Sequence, residues 1–427
     1  MAAEELVLRV DALGNRVGGI ARRAGRKTVF IRGALPGEKV SCRPVKEKKS
    51  FVEAELLEVL AASPHRREAV CPEYDWCGGC SLQHLDYHRQ LYWKRQWVQT
   101  ALRRRGIDEP DPEPTVPSPL TLGYRNRVTF EVVGGLPGLH AFRGDPRPVR
   151  SCPLLPDEGN GLLAKISGGG LRGCSRIAVR CSTGMRSRRV EVYGASAGRP
   201  DLDLPEGVAL AWRTDGRWHG TGAELRERLG EIELTVPPGG FLQVNTGAAE
   251  TLVGRVRDLC GTGRVLDLYA GVGTFGLALA AAGAEVHCVE RNRAAVRCGK
   301  AAAEEQDIGG IAFEANRARS CMLREVRKGT VYDAVVADPP RSGMGLRAAR
   351  LLRRLRPRAI VMVGCDPFAM ARDLKVLVEG GYVVRSVVPL DLFPQTDHVE
   401  TVVGLVRRDP PESQSNSRGG NRCTESS

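Results

Sequence analysis

The stretch Val265-Leu-Asp-Leu-Tyr-Ala-Gly-Val-Gly-Thr274 decides the fold of the C-terminal half of this chain. An apolar, strand-like run ends there in a glycine-rich turn, and an Ala/Leu-rich helical segment follows. Glycines at such a turn let the backbone approach a ligand closely, as nucleotide-binding loops do. The next strand-like segment ends at Glu290, where a carboxylate can accept hydrogen bonds from both hydroxyls of a ribose. Alone, the pattern also fits NAD, so the turn predicts a nucleotide site without identifying its ligand.

Working outward from that turn, strand-like and helix-length segments alternate between residues 236 and 408. The alternation predicts a doubly wound α/β domain, in which ligands bind beyond the carboxyl ends of the strands. Two polar turns occupy such positions, Asp338-Pro-Pro-Arg341 and Gly364-Cys-Asp-Pro367. Cys365 stands between a strand and a helix, and a helix N-terminus favours the thiolate form of a cysteine. Cys365 is therefore a candidate nucleophile.

The chain before residue 236 has a different pattern, with short apolar segments separated by turns. Residues 1–62 predict a small β-barrel of the OB type. Residues 63–235 predict a β-rich central domain, whose helical run at 83–107 we expect to pack on the catalytic domain. The Ser/Asn/Gly/Pro-rich residues 409–427 predict a disordered tail.

Three cysteines lie close together in the central region, at Cys71, Cys77 and Cys80. The N-terminus lacks the features of a signal peptide, and no apolar run is long enough to span a membrane. We therefore expect a cytoplasmic protein with reduced thiols. A disulfide framework is the weaker interpretation of these cysteines, and a metal or cluster site is the stronger one.

The net charge favours a polyanionic partner. The chain carries 63 Lys and Arg against 50 Asp and Glu, a formal charge of +13. Nucleic acid is a better candidate than an anionic membrane for such a surplus. The helical run around Lys94 and Arg103–Arg105 and the segment Tyr124-Arg-Asn-Arg127 are candidate contacts, although a solvated face is the simpler explanation of any single arginine.

Five motifs occur in one order along the chain: Gly240-Phe-Leu-Gln243-Val-Asn245, Leu266–Gly276, Asp338–Arg341, Gly364–Pro367 and His398-Val-Glu400. Together they resemble the RNA uracil-5-methyltransferases, and the resemblance covers nearly the whole chain. It implies a Rossmann-like class I methyltransferase domain behind an N-terminal TRAM barrel. By this resemblance Cys365 is the nucleophile that adds to uracil C6, Glu400 is the base that removes the C5 proton, and Asp338 orients the uracil or the methyl group. Gly364 and Asp366 replace the family's usual Ser and Asn.

The same resemblance implies S-adenosylmethionine as the methyl donor. The residues it assigns to this cofactor are Gln243, Tyr269, Thr274, Glu290, Asn316 and Asp338, with Arg317 as the alternative to Asn316. Family members with a TRAM domain also carry a C-x5-C-x2-C motif and a distant fourth cysteine. That pattern implies a [4Fe–4S] cluster held by Cys71, Cys77, Cys80 and Cys152, with zinc as the alternative metal.

For the substrate, the resemblance implies RNA. Members with both the TRAM domain and the cysteine motif favour 23S ribosomal RNA, and transfer RNA is the alternative. We expect a monomer with no membrane association. A competing hypothesis is a catalytically decayed RNA-binding assembly factor that keeps the fold, but the intact Cys365, Glu400 and Asp338 favour an enzyme.

Overall fold

A computed structural model describes residues 5–22, 27–195 and 198–408, so the tail predicted to be disordered lies outside the described residues. The strands are β1 Leu6–Arg9, β2 Ala12–Gly14, β3 Gly18–Ala21, β4 Thr28–Ile31, β5 Lys39–Glu47, β6 Phe51–Ala61, β7 Arg127–Val133, β8 Leu136–His140, β9 Pro146–Pro148, β10 Arg176–Cys181, β11 Arg188–Tyr193, β12 Val208–Thr214, β13 Arg217–Thr221, β14 Leu225–Leu229, β15 Ile232–Val236, β16 Arg264–Leu268, β17 Glu285–Glu290, β18 Ile311–Ala315, β19 Ala334–Ala337, β20 Ala359–Gly364, β21 Tyr382–Leu390 and β22 Glu400–Arg407. The helices are α1 Tyr87–Arg103, α2 Asp157–Ile166, α3 Thr246–Cys260, α4 Thr274–Ala281, α5 Arg293–Glu305, α6 Ala318–Lys328, α7 Leu346–Leu355 and α8 Pro367–Val378. Within the described ranges, none of these helices is long and apolar enough to cross a membrane.

The N-terminal sheet has six strands in the order β1-β5-β6-β4-β3-β2. Its two edge strands, β1 and β2, follow each other in the chain with only Val10 and Asp11 between them, so the sheet curls until its edges meet at that corner. Val29, Ile31 and Val40 fill the inside of the curl. The sequence predicted a small β-barrel here without resolving each strand. The short β2 and β3 give little local signal, because the glycines at their ends mask any alternation of polar and apolar residues.

The central region is built on a seven-stranded sheet in the order β13-β12-β11-β10-β7-β8-β9. Helix α2 buries Leu162, Leu163 and Ile166 in the hydrophobic core of this region. This helix was not predicted, since it is only ten residues long and lies between a proline-containing segment and the glycines at 168–170.

The C-terminal sheet has the strand order β18-β17-β16-β19-β20-β22-β21. Its first five strands are parallel, and β22 is inserted antiparallel between β20 and β21. Alternate residues of β19 enter different cores: Ala334 and Val336 face one, and Val335 and Ala337 face the other. The sheet is therefore buried on both faces, as parallel sheets are. The predicted fold class, a doubly wound α/β domain with an N-terminal OB-like β-barrel and a β-rich central domain, is confirmed, and the N-terminal unit takes the form of a curled six-stranded sheet.

Helix α1 packs against α8 and β21 of the C-terminal domain. Lys94 of this helix is fully buried in an ion pair with Asp391, so its prediction as a nucleic-acid contact is wrong. The proline-rich segment after α1 also lies on this domain and is not a free linker. Its Glu113 N–H donates to the carbonyl of Val387, and its Val116 N–H donates to that of Pro389.

Candidate active site

Three candidate catalytic side chains meet at the carboxyl edge of the C-terminal sheet. Asp338 directly follows β19, Cys365 directly follows β20, and Glu400 opens β22. The antiparallel register pairs Gly364 with Thr401, which makes Cys365 and Glu400 neighbours across the two strands. Strands β19 and β20 are parallel neighbours, so the short polar turns that follow them place the Asp338 carboxyl and the Cys365 thiol close together.

The electrostatic environment of Cys365 favours its neutral thiol. Burial, together with the nearby carboxylate of Glu400, raises the pKa of Cys365 to about 12. The guanidinium of Arg341 opposes both effects. Arg341 is thus the nearby cation that favours the thiolate form of Cys365.

The two carboxyl groups of the site also hold protons more tightly than usual. Glu400 is 3% exposed, and within the described residues its Oε1 has no hydrogen-bond partner. Burial, with the charge of Asp338, raises the pKa of Glu400 well above its ordinary value. Burial raises the pKa of Asp338 to about 7, although Gln243 Nε2 donates to its Oδ2 at 3.2 Å. Carboxyl groups with such raised pKa values are suited to proton transfer near neutral pH.

The Asp366 carboxylate beside the thiol has its own partners. Its Oδ1 accepts from the backbone N–H groups of Phe368 and Ala369, at 3.0 and 2.9 Å, and so caps helix α8. Its Oδ2 lies 3.1 Å from Nη2 of Arg16, which belongs to the turn between β2 and β3. Sequence reasoning did not identify Arg16, because nothing local in the first 62 residues indicates a partner near residue 366.

The glycine-rich turn takes the backbone shape that its sequence predicts. Tyr269 adopts a positive φ of 66°, and Gly273 caps helix α4 with a φ of 92°. A Cβ on Gly273 would lie 2.7 Å from the Phe313 ring, so only glycine fits there. Thr274 opens the helix, where free backbone N–H groups and the helix dipole favour a negatively charged or polar ligand group.

Asp267 lies under this turn, and sequence reasoning did not single it out. Its Oδ2 accepts from the Gly276 N–H at 3.0 Å, whereas its Oδ1 has no partner among the described residues. Burial raises the pKa of Asp267 to about 8. The available signal was an acid in the middle of an otherwise apolar strand, where a buried carboxyl requires a partner.

The remaining cofactor candidates follow β17 and β18. Glu290 accepts from the Gly271 N–H at 3.2 Å and from the Asn292 N–H at 2.7 Å. The Asn316 N–H donates to the Glu290 carbonyl at 3.0 Å, which ties the two turns together. Arg317 is exposed and occupies the N-cap position of α6, so Asn316 is the residue that lies beside Glu290.

The four cysteines assigned to a cluster converge although the chain separates them widely. Cys71, Cys77, Cys80 and Cys152 line one cavity of about 350 Å³, together with Gln83 and Arg125. All described cysteines are free thiols. Within the described residues, no three of these four sulfurs lie within 4.8 Å of one another. Four cysteines with no histidine among them are a donor set that suits a [4Fe–4S] cluster, and the same set can also hold zinc.

A second group of potential ligands, His287, Glu314 and Cys321, is compact enough for a metal ion. The Arg324 guanidinium already donates to both Glu314 oxygens, at 2.5 and 2.7 Å, and lies 3.5 Å from the Cys321 sulfur. A fixed cation at that position repels a metal ion. This group is therefore explained as an ion-pair cluster.

The segment Tyr124–Arg127 turns toward the protein interior. The Tyr124 hydroxyl donates to the Pro394 carbonyl at 3.0 Å, and Asn126 Nδ2 donates to the Gln243 carbonyl at 2.9 Å. Arg125 faces the cysteine cavity, and Arg127 pairs with buried Glu191. The prediction that this segment contacts nucleic acid is wrong, since its side chains bind internal partners.

Known proteins resemble this chain over nearly its whole length. The profile of the tRNA (uracil-5-)-methyltransferase family matches residues 230–408. An uncharacterized RNA methyltransferase of Nitratidesulfovibrio vulgaris is 33% identical, over 94% of this chain and 95% of that protein. Another from Aquifex aeolicus is 32% identical, over 96% and 100%. The Pyrococcus abyssi tRNA (uracil-54, C5)-methyltransferase, crystallised with S-adenosyl-L-homocysteine, superimposes with a TM-score of 0.77 at 26% identity, over 94% of this chain and 100% of that chain.

The family predicted from the five motifs is thereby confirmed. The matched profile contains the edge where Asp338, Cys365 and Glu400 meet, and the two relatives align with at least 94% of this chain. The chain belongs to the tRNA (uracil-5-)-methyltransferase family and is an S-adenosylmethionine-dependent RNA methyltransferase.

Proposed function

We propose that this enzyme methylates C5 of one uridine in 23S ribosomal RNA through a covalent bond between Cys365 and the uracil. The observation that carries this proposal is the adjacency of the Cys365 thiol and the Glu400 carboxyl, set by the pairing of β20 with β22. A nucleophile next to a base is what this reaction requires, because C5 of uracil is too weak a nucleophile to take a methyl group unaided.

The bond changes balance without a further reactant. The Cys365 thiolate adds to C6, and the electron pair of the C5–C6 double bond shifts toward C5 to give an enolate. C5 then attacks the sulfonium methyl group, the methyl–sulfur bond breaks, and S-adenosylhomocysteine remains. Glu400 removes the C5 proton, the double bond re-forms, and the thiolate is expelled. One proton is released per turnover, because the thiolate returns to its starting state.

The surroundings of each group suit its role. The raised pKa of Glu400 makes its carboxylate a stronger base than an exposed one. Arg341 supplies the positive charge that favours the thiolate and the carboxylate. Asp338, held by Gln243, orients the uracil or the transferring methyl group.

The cofactor is assigned to the turns that surround this edge. Glu290 accepts hydrogen bonds from the ribose hydroxyls, and the glycine-rich turn beside Tyr269 and Thr274 lets the cofactor approach the backbone. Gln243, Asn316 and Asp338 complete the set. Each of these residues lies at the carboxyl end of a strand or at the start of the next helix, apart from Gln243, which reaches the edge through Asp338.

The cysteine cavity is assigned to a [4Fe–4S] cluster, with zinc as the alternative. When bound, such a cluster supplies four iron–thiolate bonds that cross-link Cys71–Cys80 to Cys152. The residues after Cys80 show what this cross-link would stabilise. The N–H groups of Ser81 and Leu82 both donate to the Gln395 carbonyl, at 3.0 Å each, in the loop that precedes Glu400.

Transfer RNA is the second candidate substrate. The Pyrococcus abyssi protein with the matching fold is named for uracil 54 of transfer RNA, which favours this alternative. The four-cysteine pattern favours ribosomal RNA. Incubating the enzyme and labelled S-adenosylmethionine with total transfer RNA and with unmodified 23S RNA distinguishes them, because only the true substrate takes up stoichiometric label in 5-methyluridine.

The covalent mechanism is tested with RNA that contains 5-fluorouridine. Fluorine cannot leave as a cation, so the reaction stops at the methylated adduct, and the wild-type enzyme should form a complex that survives denaturation. Cys365→Ala should abolish this complex. Cys298→Ala is the matched control, since Cys298 is a part-buried thiol of helix α5 in the same domain. A wild-type enzyme that methylates RNA without an adduct would overturn the mechanism.

A further inference from the structure

One turn of the N-terminal sheet contacts both loops that carry the candidate catalytic residues. Arg16 Nη2 lies 3.1 Å from Oδ2 of Asp366, the residue after the nucleophile. The preceding residue, Asn15, donates from Nδ2 to the Asp397 carbonyl at 2.6 Å, three residues before Glu400. Two consecutive residues therefore connect the nucleophile loop and the base loop from outside the catalytic domain.

The turn is built to hold a fixed shape. Arg16 has a φ of 65°, which is uncommon for a residue with a side chain. A Cβ on Gly18 would lie 2.7 Å from the Ile31 carbonyl oxygen, so the turn packs tightly on β4. The strand β2 that leads into the turn is also anchored, because Trp97 of α1 donates to the Leu13 carbonyl at 2.8 Å. A backbone that several contacts hold in an uncommon conformation is typical of segments that position functional groups.

The chemistry of Asp366 explains why an arginine is needed there. Its Oδ1 is used by the α8 cap, so Oδ2 is the oxygen that requires another partner. The Asp366 side chain is only 15% exposed, and water therefore screens its charge poorly. An uncompensated carboxylate next to Cys365 would oppose formation of the thiolate. Arg16 supplies the compensating charge.

We propose that Arg16 is a positioning residue for the methyl transfer: by pairing with Asp366 it neutralises the one extra carboxylate beside Cys365, so that this carboxylate does not oppose the thiolate. This inference rests on the proposed role of Cys365 as the nucleophile. It makes the N-terminal sheet part of the catalytic apparatus. The pair also accounts for the aspartate at a position where the family's usual residue is asparagine, because an aspartate there requires a cation nearby.

The test is a double-mutant cycle of Arg16→Ala and Asp366→Asn. Asparagine keeps the helix cap but carries no charge, so Asp366→Asn alone should leave kcat within about twofold of wild type. Arg16→Ala alone should lower kcat and the rate of adduct formation by about five- to tenfold, with little change in KM for RNA. In the Asp366→Asn background, Arg16→Ala should have no further effect. Arg43→Ala, which breaks an exposed pair with Glu55 on the same sheet, is the control.

A second readout does not depend on RNA. The rate at which iodoacetamide alkylates Cys365, followed by peptide mass spectrometry at fixed pH, should fall about fivefold in Arg16→Ala and recover in the double variant. An Arg16→Ala effect on KM alone would mean that Arg16 is an RNA contact and would overturn the inference. So would an equal loss in both backgrounds. If the wild type forms no adduct but the alkylation cycle behaves as described, the covalent mechanism fails and with it the role of Arg16 in methyl transfer, while the charge compensation between Arg16 and Asp366 beside Cys365 is supported.

Discussion

Lys94 Nζ lies 2.5 Å from Oδ1 of Asp391, and both side chains are completely buried. Lys94 also donates to the Phe393 carbonyl at 3.0 Å, and Asp391 accepts from the Phe393 N–H at 3.1 Å. The pair joins helix α1 to the loop that leads into the catalytic strand β22. Gln90 adds to this contact from the same helix, since its Oε1 accepts from the Gln395 N–H at 3.0 Å.

Lys94→Met should destabilise the protein strongly. The substitution keeps the length of the side chain but leaves the Asp391 carboxylate buried without its cation, which costs about 3–5 kcal/mol. Arg103→Ala is the control, because its pair with Asp111 is exposed and contributes less than about 1 kcal/mol. Urea unfolding curves compare the two variants. An equal decrease in the free energy of unfolding for the two variants would show that the buried pair does not hold α1 in place.

Asp338 should make the free energy of unfolding decrease as the pH rises. Its pKa of about 7 lies above its ordinary value, so the folded protein binds a proton more tightly than the unfolded chain does. That contribution is complete below the ordinary pKa and is lost as the pH rises through about 7. Asp338→Asn removes this loss, so its stability relative to wild type should increase between pH 5 and pH 8. Urea midpoints at several pH values measure the difference, and a constant difference would refute the assignment.

Glu400→Gln should trap the natural reaction. Glutamine has nearly the same shape but cannot take the C5 proton, so methyl transfer would proceed and elimination would stop. We expect a denaturation-resistant complex with ordinary RNA that carries label from the methyl group, and turnover reduced by at least about a hundredfold. Cys365→Ala/Glu400→Gln is the control and should form no complex. A Glu400→Gln variant that turns over normally would assign the base to another residue.

Gly276→Ala should distort the glycine-rich turn that is assigned to the cofactor, because the added methyl group has no space in the core that supports the turn. A Cβ at this position would lie 2.1 Å from the Cys288 sulfur, in a core with no space for it, and overpacking of this kind costs about 1–3 kcal/mol. Gly254→Ala in helix α3 is the matched control. Nothing lies within 4 Å of its added methyl, so it should stabilise by about 0.5–1 kcal/mol. Calorimetry should show weaker binding of S-adenosylhomocysteine to Gly276→Ala alone.

The sequence predicted local features well and long-range pairing poorly. The turn at Gly271–Thr274 and the thiol of Cys365 follow from strand, turn and helix signals that lie within a few residues of each other. Lys94 was misplaced because its partner, Asp391, is 297 residues away and no local pattern reveals a buried ion pair. Arg16 was missed for the same reason. In both cases the missing information is which surfaces of distant elements pack together.

Cys80→Ser should remove the cluster and, as a consequence, loosen the loop that precedes Glu400. The variant removes one ligand from the cysteine cavity, so iron and labile sulfide should fall well below one cluster per chain. The backbone that follows Cys80 holds Gln395, whose φ of 68° is strained, and Ser81 Oγ accepts from the Asp397 N–H at 2.9 Å. We therefore expect amide hydrogen exchange at Gln395 and Asp397 to accelerate by at least about tenfold, as in a locally opened segment. Cys174→Ser, outside the cavity, should change neither measurement. Full loss of iron with unchanged exchange in the loop would show that the cluster does not support the catalytic base.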